Sequence, residues 1–166
     1  MSTVSTRPDL ALTGEHDELR STVRQFLAAT SPPARVRQVM ESPDGFDRST
    51  WRQMAEQLGL QALLVPERYQ GLGQGAVEAH LVFEELGRAL YPGPYFASAA
   101  LATNALICSG DDDACRNLLP GIAAGSTIAT VAVAEADGRW DDASTIRSTA
   151  PRPTGARCSA VLRQSD

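Results

Sequence analysis

The chain has 166 residues, 43% of them hydrophobic, and its fifteen basic side chains are all arginine, against twenty acidic ones, for a net charge of −5. The length suits one domain or the start of a second, and the composition is sufficient for a buried core. The acidic balance argues against a protein that neutralises nucleic-acid phosphate or lies on an anionic membrane surface. Its three cysteines show no CxxC spacing, so neither a zinc site nor a disulfide framework is indicated.

The sequence gives no sign of export or membrane insertion. Its N-terminal residues lack the apolar core of a signal peptide, and the longest apolar stretch, 97–108, is interrupted by Ser98, Thr103 and Asn104. We therefore expect a cytoplasmic protein that does not associate with membranes.

Three helices are predicted in the first 60 positions, after a tail at residues 1–12 that we expect to be disordered. The first begins after Thr13 as N-cap and is stopped by the Pro32–Pro33 pair. A short helix follows at 35–41, and Ser49 is placed to cap a third that ends at Gly59. The apolar faces of the first and third helices comprise Leu19, Val23, Phe26, Leu27, Trp51, Met54, Ala55 and Leu58.

Two longer helices are predicted in the middle of the chain. One spans about 76–90 and has a buried stripe, with Glu84 and Arg88 forming an i, i+4 ion pair on its flank. The other spans about 96–108 and is apolar on most sides. A helix with so little polar surface needs packing partners on more than one side.

Near residue 126 the spacing of the apolar residues changes from that of a helix to that of a strand. The three aspartates at 111–113 predict the N-terminus of a short helix ending near residue 121 or 125, and the run 127–134 is typical of a strand. No periodicity survives beyond Asp137. We expect an incomplete β segment over 126–150 and an irregular tail over 151–166.

One glycine motif invites a dinucleotide-binding interpretation. Residues 71–76, GLGQGA, fit the pattern G-x-G-x-x-[GA]. That chemistry requires a strand leading directly into the glycine turn, so that backbone amides meet a pyrophosphate. Five residues separate the preceding apolar run from Gly71, so a loop that leads into a helix is the simpler interpretation.

A pair of possible metal ligands lies on the long helix. His80 and Glu84 are four residues apart and share a face, but a catalytic metal needs a third protein ligand. The alternative is a solvated face with paired carboxylates, and we assign no metal site. No combination of nucleophile and base suggests a catalytic group either.

Four stretches, in order, resemble the acyl-CoA dehydrogenase family. The most specific is LGLQALLVPERYQGLG at 58–73; the others are 12–20, Glu-Glu-Leu-Gly-Arg at 84–88, and LLPGIAAG at 118–125. The resemblance covers about residues 12–142. It implies a mainly α fold class, with a bundle-like N-terminal helical domain at 13–125 that leads into the start of a middle β domain.

The resemblance also implies a chemistry. Members bind FAD and acyl-CoA and desaturate the acyl chain between Cα and Cβ, with a carboxylate taking the α-proton and flavin N5 accepting a hydride. The segment Leu-Tyr-Pro-Gly-Pro at 90–94 is similar to members that act on bulky or steroid-like acyl chains. It further implies a homo- or hetero-oligomer in fatty acid or steroid side-chain oxidation.

Particular residues match functional positions of the family. Val131, Val133, Ala134 and Trp140 match positions near the flavin or the thioester. Three residues at a helix start, Tyr95, Phe96 and Ser98, match the edge of the acyl pocket. Plain packing is the alternative role for each of them.

The sequence also departs from the family pattern. Ala134 stands where a threonine is usual, Trp140 where a serine is expected, and Gln70 where a glycine is usual. The family's catalytic glutamate and C-terminal bundle have no counterpart, and Glu135 is not that base, so no catalytic residue is assigned. We hypothesise a reading frame truncated or shifted near residue 150.

Two functions follow from the sequence. The first is the N-terminal part of an FAD-dependent acyl-CoA dehydrogenase, inactive alone. The second is a non-catalytic subunit that docks on a complete acyl-CoA dehydrogenase partner through its apolar helix at 96–108.

Overall fold

The computed structural model describes residues 12–131 and, as backbone only, 160–164. Within these ranges the chain is mainly helical, which confirms the predicted fold class. The α-helices are α1 (Gly14–Thr30), α2 (Pro33–Met40), α3 (Arg48–Leu58), α4 (Ala76–Arg88), α5 (Thr103–Ser109) and α6 (Asp112–Ala123). A π-helix (Phe96–Ala102) precedes α5, and the strands are β1 (Thr127–Val131) and β2 (Ala160–Gln164).

The helix starts follow local capping chemistry. Thr13 caps α1 as predicted, since its hydroxyl accepts from the backbone N of His16. The cap of α3 is Asp47 rather than Ser49, because the carboxylate accepts from the amides of Ser49 and Thr50. Helix α2 begins at Pro33, two residues earlier than expected, since proline at the first helical position has a preset φ and no donor to satisfy.

Charged side chains link α1 to α4. Glu85 is fully buried and accepts from Arg24 on α1 and from Arg88. Hydrogen bonds from Arg24, and to a smaller extent the hydrogen bond from Arg88, lower the pKa of Glu85 to about 2. The predicted Glu84–Arg88 pair is therefore wrong: Glu84 pairs with Arg20 instead, because α1 lies against this side of α4.

Two hydrophobic clusters form the core. The first joins α1, α3, α4 and the start of the π-helix; its members include Val23, Leu27, Trp51, Met54, Leu60, Val82, Leu86, Tyr95 and Ala99. The second joins α5, α6 and β1; its members include Val65, Tyr69, Ala102, Leu106, Cys115, Leu119, Ile122 and Ala129. The π-helix contributes Ala99 to the first cluster and Ala102 to the second, as expected of a segment that is apolar on most sides.

The predicted helix at 96–108 is present but not uniform. Its first part is a π-helix, and the hydroxyl of Thr103 donates to the carbonyl oxygen of Ser98, five residues earlier. Among the described residues, no helix is both long and apolar enough to cross a bilayer.

The two strands pair antiparallel, with Ala129 opposite Leu162. Strand β2 lies within the tail that we expected to be irregular; there a short run with Val161 and Leu162 can pair with the open edge of β1. The predicted strand at 127–134 is observed as far as Val131, and its last three residues lie outside the described ranges.

Candidate functional site

The candidate site lies where the π-helix packs against β1. The backbone N of Ala129 donates to the Oγ of Ser98 over 3.2 Å, and both residues are buried. Ser98 thus connects the helical layer to the strand from inside. Its side chain lies behind the surface rather than on it.

Three aromatic rings form a ladder at the start of the π-helix. Phe83 of α4 contacts Tyr95 and Phe96 edge to face, with centroid distances of 5.4 and 5.9 Å. Tyr95 is buried and donates its hydroxyl proton to the carbonyl oxygen of Leu60. Burial raises the pKa of Tyr95, so its phenol stays neutral and acts as an anchor.

Phe96 presents an apolar surface to the outside. Its side chain is 59% exposed, and Leu101, five residues later, is 42% exposed. Hydrogen bonding from i to i+5 in a π-helix brings such positions to nearly the same face. The π-helix that carries this exposed face also packs against β1 through buried Ser98.

The predicted site residues therefore divide into three groups. Phe96 is exposed, whereas Tyr95 and Ser98 are buried and fix its surroundings. Val131 is half-buried at the end of β1 and packs on the second core cluster. The remaining predicted flavin-side residues, Val133, Ala134 and Trp140, lie outside the described ranges.

Sequence reasoning did not connect Phe83 with this site. Phe83 lies on the helix predicted at 76–90, but its contacts with Tyr95 and Phe96 span twelve and thirteen positions across a proline-rich break. The only available signal was the proximity of three aromatic residues in a chain with 5% aromatic content.

The glycine loop at 71–75 uses its amides internally. Leu72 N donates to Ala62 O, Gly73 N to Val65 O, and Gln74 N to Leu63 O, all within 2.9 Å. Donors that are already paired cannot cradle a phosphate. The geometry therefore supports a structural loop and not a dinucleotide-binding turn.

One of the departures from the family pattern directly precedes this loop. Gln70 has φ +66°, a left-handed conformation that favours glycine. At Gly71, an added Cβ would lie 1.9 Å from the carbonyl oxygen of Val65. The loop therefore tolerates a side chain at position 70 but has no space for one at position 71.

The possible metal ligands on α4 have other partners. The Nδ1 of His80 lies 2.5 Å from the carbonyl oxygen of Ala76, and Glu84 accepts from Arg20. Within the described part of the chain, no group of three or more histidine, cysteine, aspartate or glutamate residues is placed to hold a metal ion.

Comparison with known proteins identifies the class of domain. The family model for the N-terminal domain of acyl-CoA dehydrogenases matches residues 13–126. The chain belongs to the acyl-CoA dehydrogenase family and contains its N-terminal helical domain.

Relatives of known sequence agree. The chain is 41% identical to the acyl-CoA dehydrogenase IpdE2 of Mycobacterium tuberculosis over 114 residues, which covers 69% of this chain and 35% of the relative. The IpdE2 of Mycolicibacterium smegmatis is 37% identical, with 69% and 36% covered. The chain thus spans about a third of the length of these relatives.

Solved structures show the same architecture. The ChsE4–ChsE5 complex of M. tuberculosis aligns with a TM-score of 0.70 at 28% identity, covering 79% of this chain and 36% of the other. A variant of the Tcur3481–Tcur3483 steroid acyl-CoA dehydrogenase aligns with a TM-score of 0.67 at 33% identity, covering 74% and 33%.

Proposed function

We propose that this chain forms one wall of an FAD-dependent acyl-CoA dehydrogenase site for α,β-desaturation of an acyl-CoA thioester, and that it is inactive alone. The single observation that carries the proposal is the exposed apolar face of a π-helix that packs against β1, within a domain of this family. We also propose that the reaction takes place in the cytoplasm.

In this proposal, each of the predicted site residues that the structure describes has a defined role. Phe96 contacts the acyl chain, while Tyr95 and Ser98 hold the helix start and the strand in place. Val131, half-buried and apolar at the end of β1, suits contact with a flat apolar ring. When bound, FAD would supply the hydride acceptor for the Cβ hydrogen, and the carboxylate base for the α-proton would come from outside the described residues.

The wall's contribution to catalysis is to orient the substrate and exclude water. An apolar surface beside the reacting carbons keeps the site dry, which strengthens hydrogen bonds to the thioester carbonyl. We propose a bulky, steroid-like acyl chain as substrate. Support comes from the aromatic ladder ending at Phe96 and from the likeness to a steroid acyl-CoA dehydrogenase.

A chimera tests the proposal. Residues 13–126 of this chain would replace the matching segment of the M. tuberculosis IpdE2, and flavin absorbance and dye-linked acyl-CoA oxidation would be measured. We expect the chimera to retain FAD and to turn over a polycyclic acyl-CoA, whereas the 166-residue chain alone does neither. A folded chimera without flavin or turnover contradicts the proposal.

Two variants of the chimera test whether Phe96 contacts the acyl chain. Phe96→Ala should raise KM at unchanged flavin content, because the residue contacts the acyl chain and not the cofactor. Val77→Ala, at another partly exposed apolar position, is the matched control and should leave KM unchanged.

A second candidate function is a non-catalytic subunit that docks on a complete acyl-CoA dehydrogenase. It is favoured by the structural neighbours that are named as pairs of different proteins. Co-purification with a full-length dehydrogenase whose own activity does not need this chain would support it over the first.

A further inference from the structure

A second surface lies away from the proposed site. A groove of about 420 Å³ is formed by the end of α1, by α2 and by the end of α4. Buried Leu27 and Val36 form part of its floor, and Met40 and Leu90 also line it. None of its lining residues belongs to the π-helix or to β1, so it is separate from the wall described above.

Two side chains at this groove are conspicuously exposed. Leu90 is 74% and Met40 is 67% exposed, the largest values among the large hydrophobic side chains of the described residues. Leu90 also has φ +52°, at the position that follows the C-cap residue Ala89 of α4, where glycine is preferred. A leucine there exposes apolar area and strains the backbone, and the described residues provide no compensating contact that buries it.

The edge of the groove is cationic although the chain is acidic overall. Arg37 forms no ion pair with any described residue. Arg88 is half-exposed and shares the single carboxylate of Glu85 with Arg24. Pro32, at the N-cap of α2, provides no side-chain acceptor, so the positive end of the helix dipole also faces this region.

We propose that this groove binds an acidic amphipathic helix of a partner protein. Apolar side chains of one helix face enter the groove, and flanking aspartate or glutamate side chains pair with Arg37 and approach the N-terminus of α2. A small amphiphile would fill the interior but leave the outward parts of Met40 and Leu90 in water. A helix lying along the groove covers both. This inference does not depend on the proposed enzymatic role.

Designed peptides test the charge requirement. The probe is a fluorescein-labelled helical peptide with leucine at i, i+3, i+4 and i+7 and glutamate beside them; its match carries lysine in place of every glutamate. Fluorescence anisotropy with the full chain should show binding of the acidic peptide that weakens with added salt. The lysine peptide should bind at least about tenfold more weakly.

Variants of the chain test the location. Arg37→Glu should weaken binding of the acidic peptide at least about tenfold. Arg52→Glu makes the same charge change at an exposed position of α3 outside the groove and should leave binding unchanged. Leu90→Gly should weaken binding while the midpoint of urea unfolding stays equal or rises, because glycine suits the left-handed backbone.

Specific outcomes would overturn the proposal. They are equal affinity for both peptides, no binding up to about 1 mM, or equal effects of Arg37→Glu and Arg52→Glu. Displacement of the acidic peptide by dodecanoate at concentrations below its micelle limit would point to a small amphiphile. Self-association of the chain that Leu90→Gly abolishes would make a second copy the occupant.

Discussion

Ser98 accepts a hydrogen bond from the backbone amide of Ala129, which joins the π-helix to β1 through two buried residues 31 positions apart. The exposed face that carries Phe96 and the strand that carries Val131 are therefore held in a fixed relation. In the proposed function, this bond sets the distance between the acyl-chain wall and the flavin side.

Removal of the Ser98 hydroxyl should destabilise the fold. In Ser98→Ala the buried amide of Ala129 loses its acceptor, and we expect the free energy of unfolding to fall by about 1–3 kcal/mol. Urea unfolding followed by circular dichroism measures it. Ser21→Ala, at an exposed position of α1, serves as control with a change within about 0.5 kcal/mol. Equal effects of the two substitutions would contradict the structural role of Ser98.

Glu85 should make stability depend on acid. Because its pKa falls from 4.5 to about 2 on folding, its ionised form stabilises the folded state fully above about pH 4.5. That contribution is lost as the pH falls toward 2. Glu85→Gln should lower the free energy of unfolding at pH 7 by about 1–3 kcal/mol, since the hydrogen bonds to two guanidinium groups weaken.

The pH dependence of stability distinguishes the loss of the ionised Glu85 carboxylate from a general packing defect. The difference in unfolding free energy between the native chain and Glu85→Gln should shrink as the pH is lowered from 5 to 2.5, which urea titrations at fixed pH measure. Glu84→Gln removes an exposed carboxylate next to it on α4, and should change stability by about 1 kcal/mol or less. A pH-independent difference for Glu85→Gln would contradict the assignment.

The helices could be predicted from the sequence because their signals are local. Thr13 before the first apolar face, Gly59 after the third helix and Asp111 before α6 act within four residues of their own position. The cap of α3 was misplaced by two residues, because Asp47 and Ser49 are both good caps and local spacing alone did not separate them.

Less of the candidate site could be predicted from the sequence. Periodicity indicated that the segment 96–108 is helical but not that Phe96–Ala102 is a π-helix or that it packs against β1. The Phe83–Phe96 contact and the bond between Ser98 and Ala129 join distant positions. The family resemblance marked Phe96 and Ser98 together, yet one is exposed and the other buried, which only three-dimensional packing decides.

Two glycine substitutions should have opposite effects. In Gly71→Ala the new methyl group would meet the Val65 carbonyl at 1.9 Å, so we expect a loss of at least about 2 kcal/mol from overpacking and backbone displacement. In Gly87→Ala the methyl group meets nothing within 4 Å on α4, and alanine's higher helix propensity should add about 0.5–1 kcal/mol. Thermal unfolding of both variants measures the contrast. A stable Gly71→Ala chain would contradict the close approach at the loop.

The exposed face of the π-helix should bind a hydrophobic dye. Phe96 and Leu101 lie near one another on that face and are both exposed, so the folded chain should raise the fluorescence of 8-anilinonaphthalene-1-sulfonate. Phe96→Ser should reduce this signal more than Val77→Ser, which removes a less exposed apolar side chain from α4. Both substitutions spare the core, so circular dichroism spectra should be unchanged. Equal losses, or a folded chain without dye fluorescence, would show that this face offers no apolar surface for a ligand.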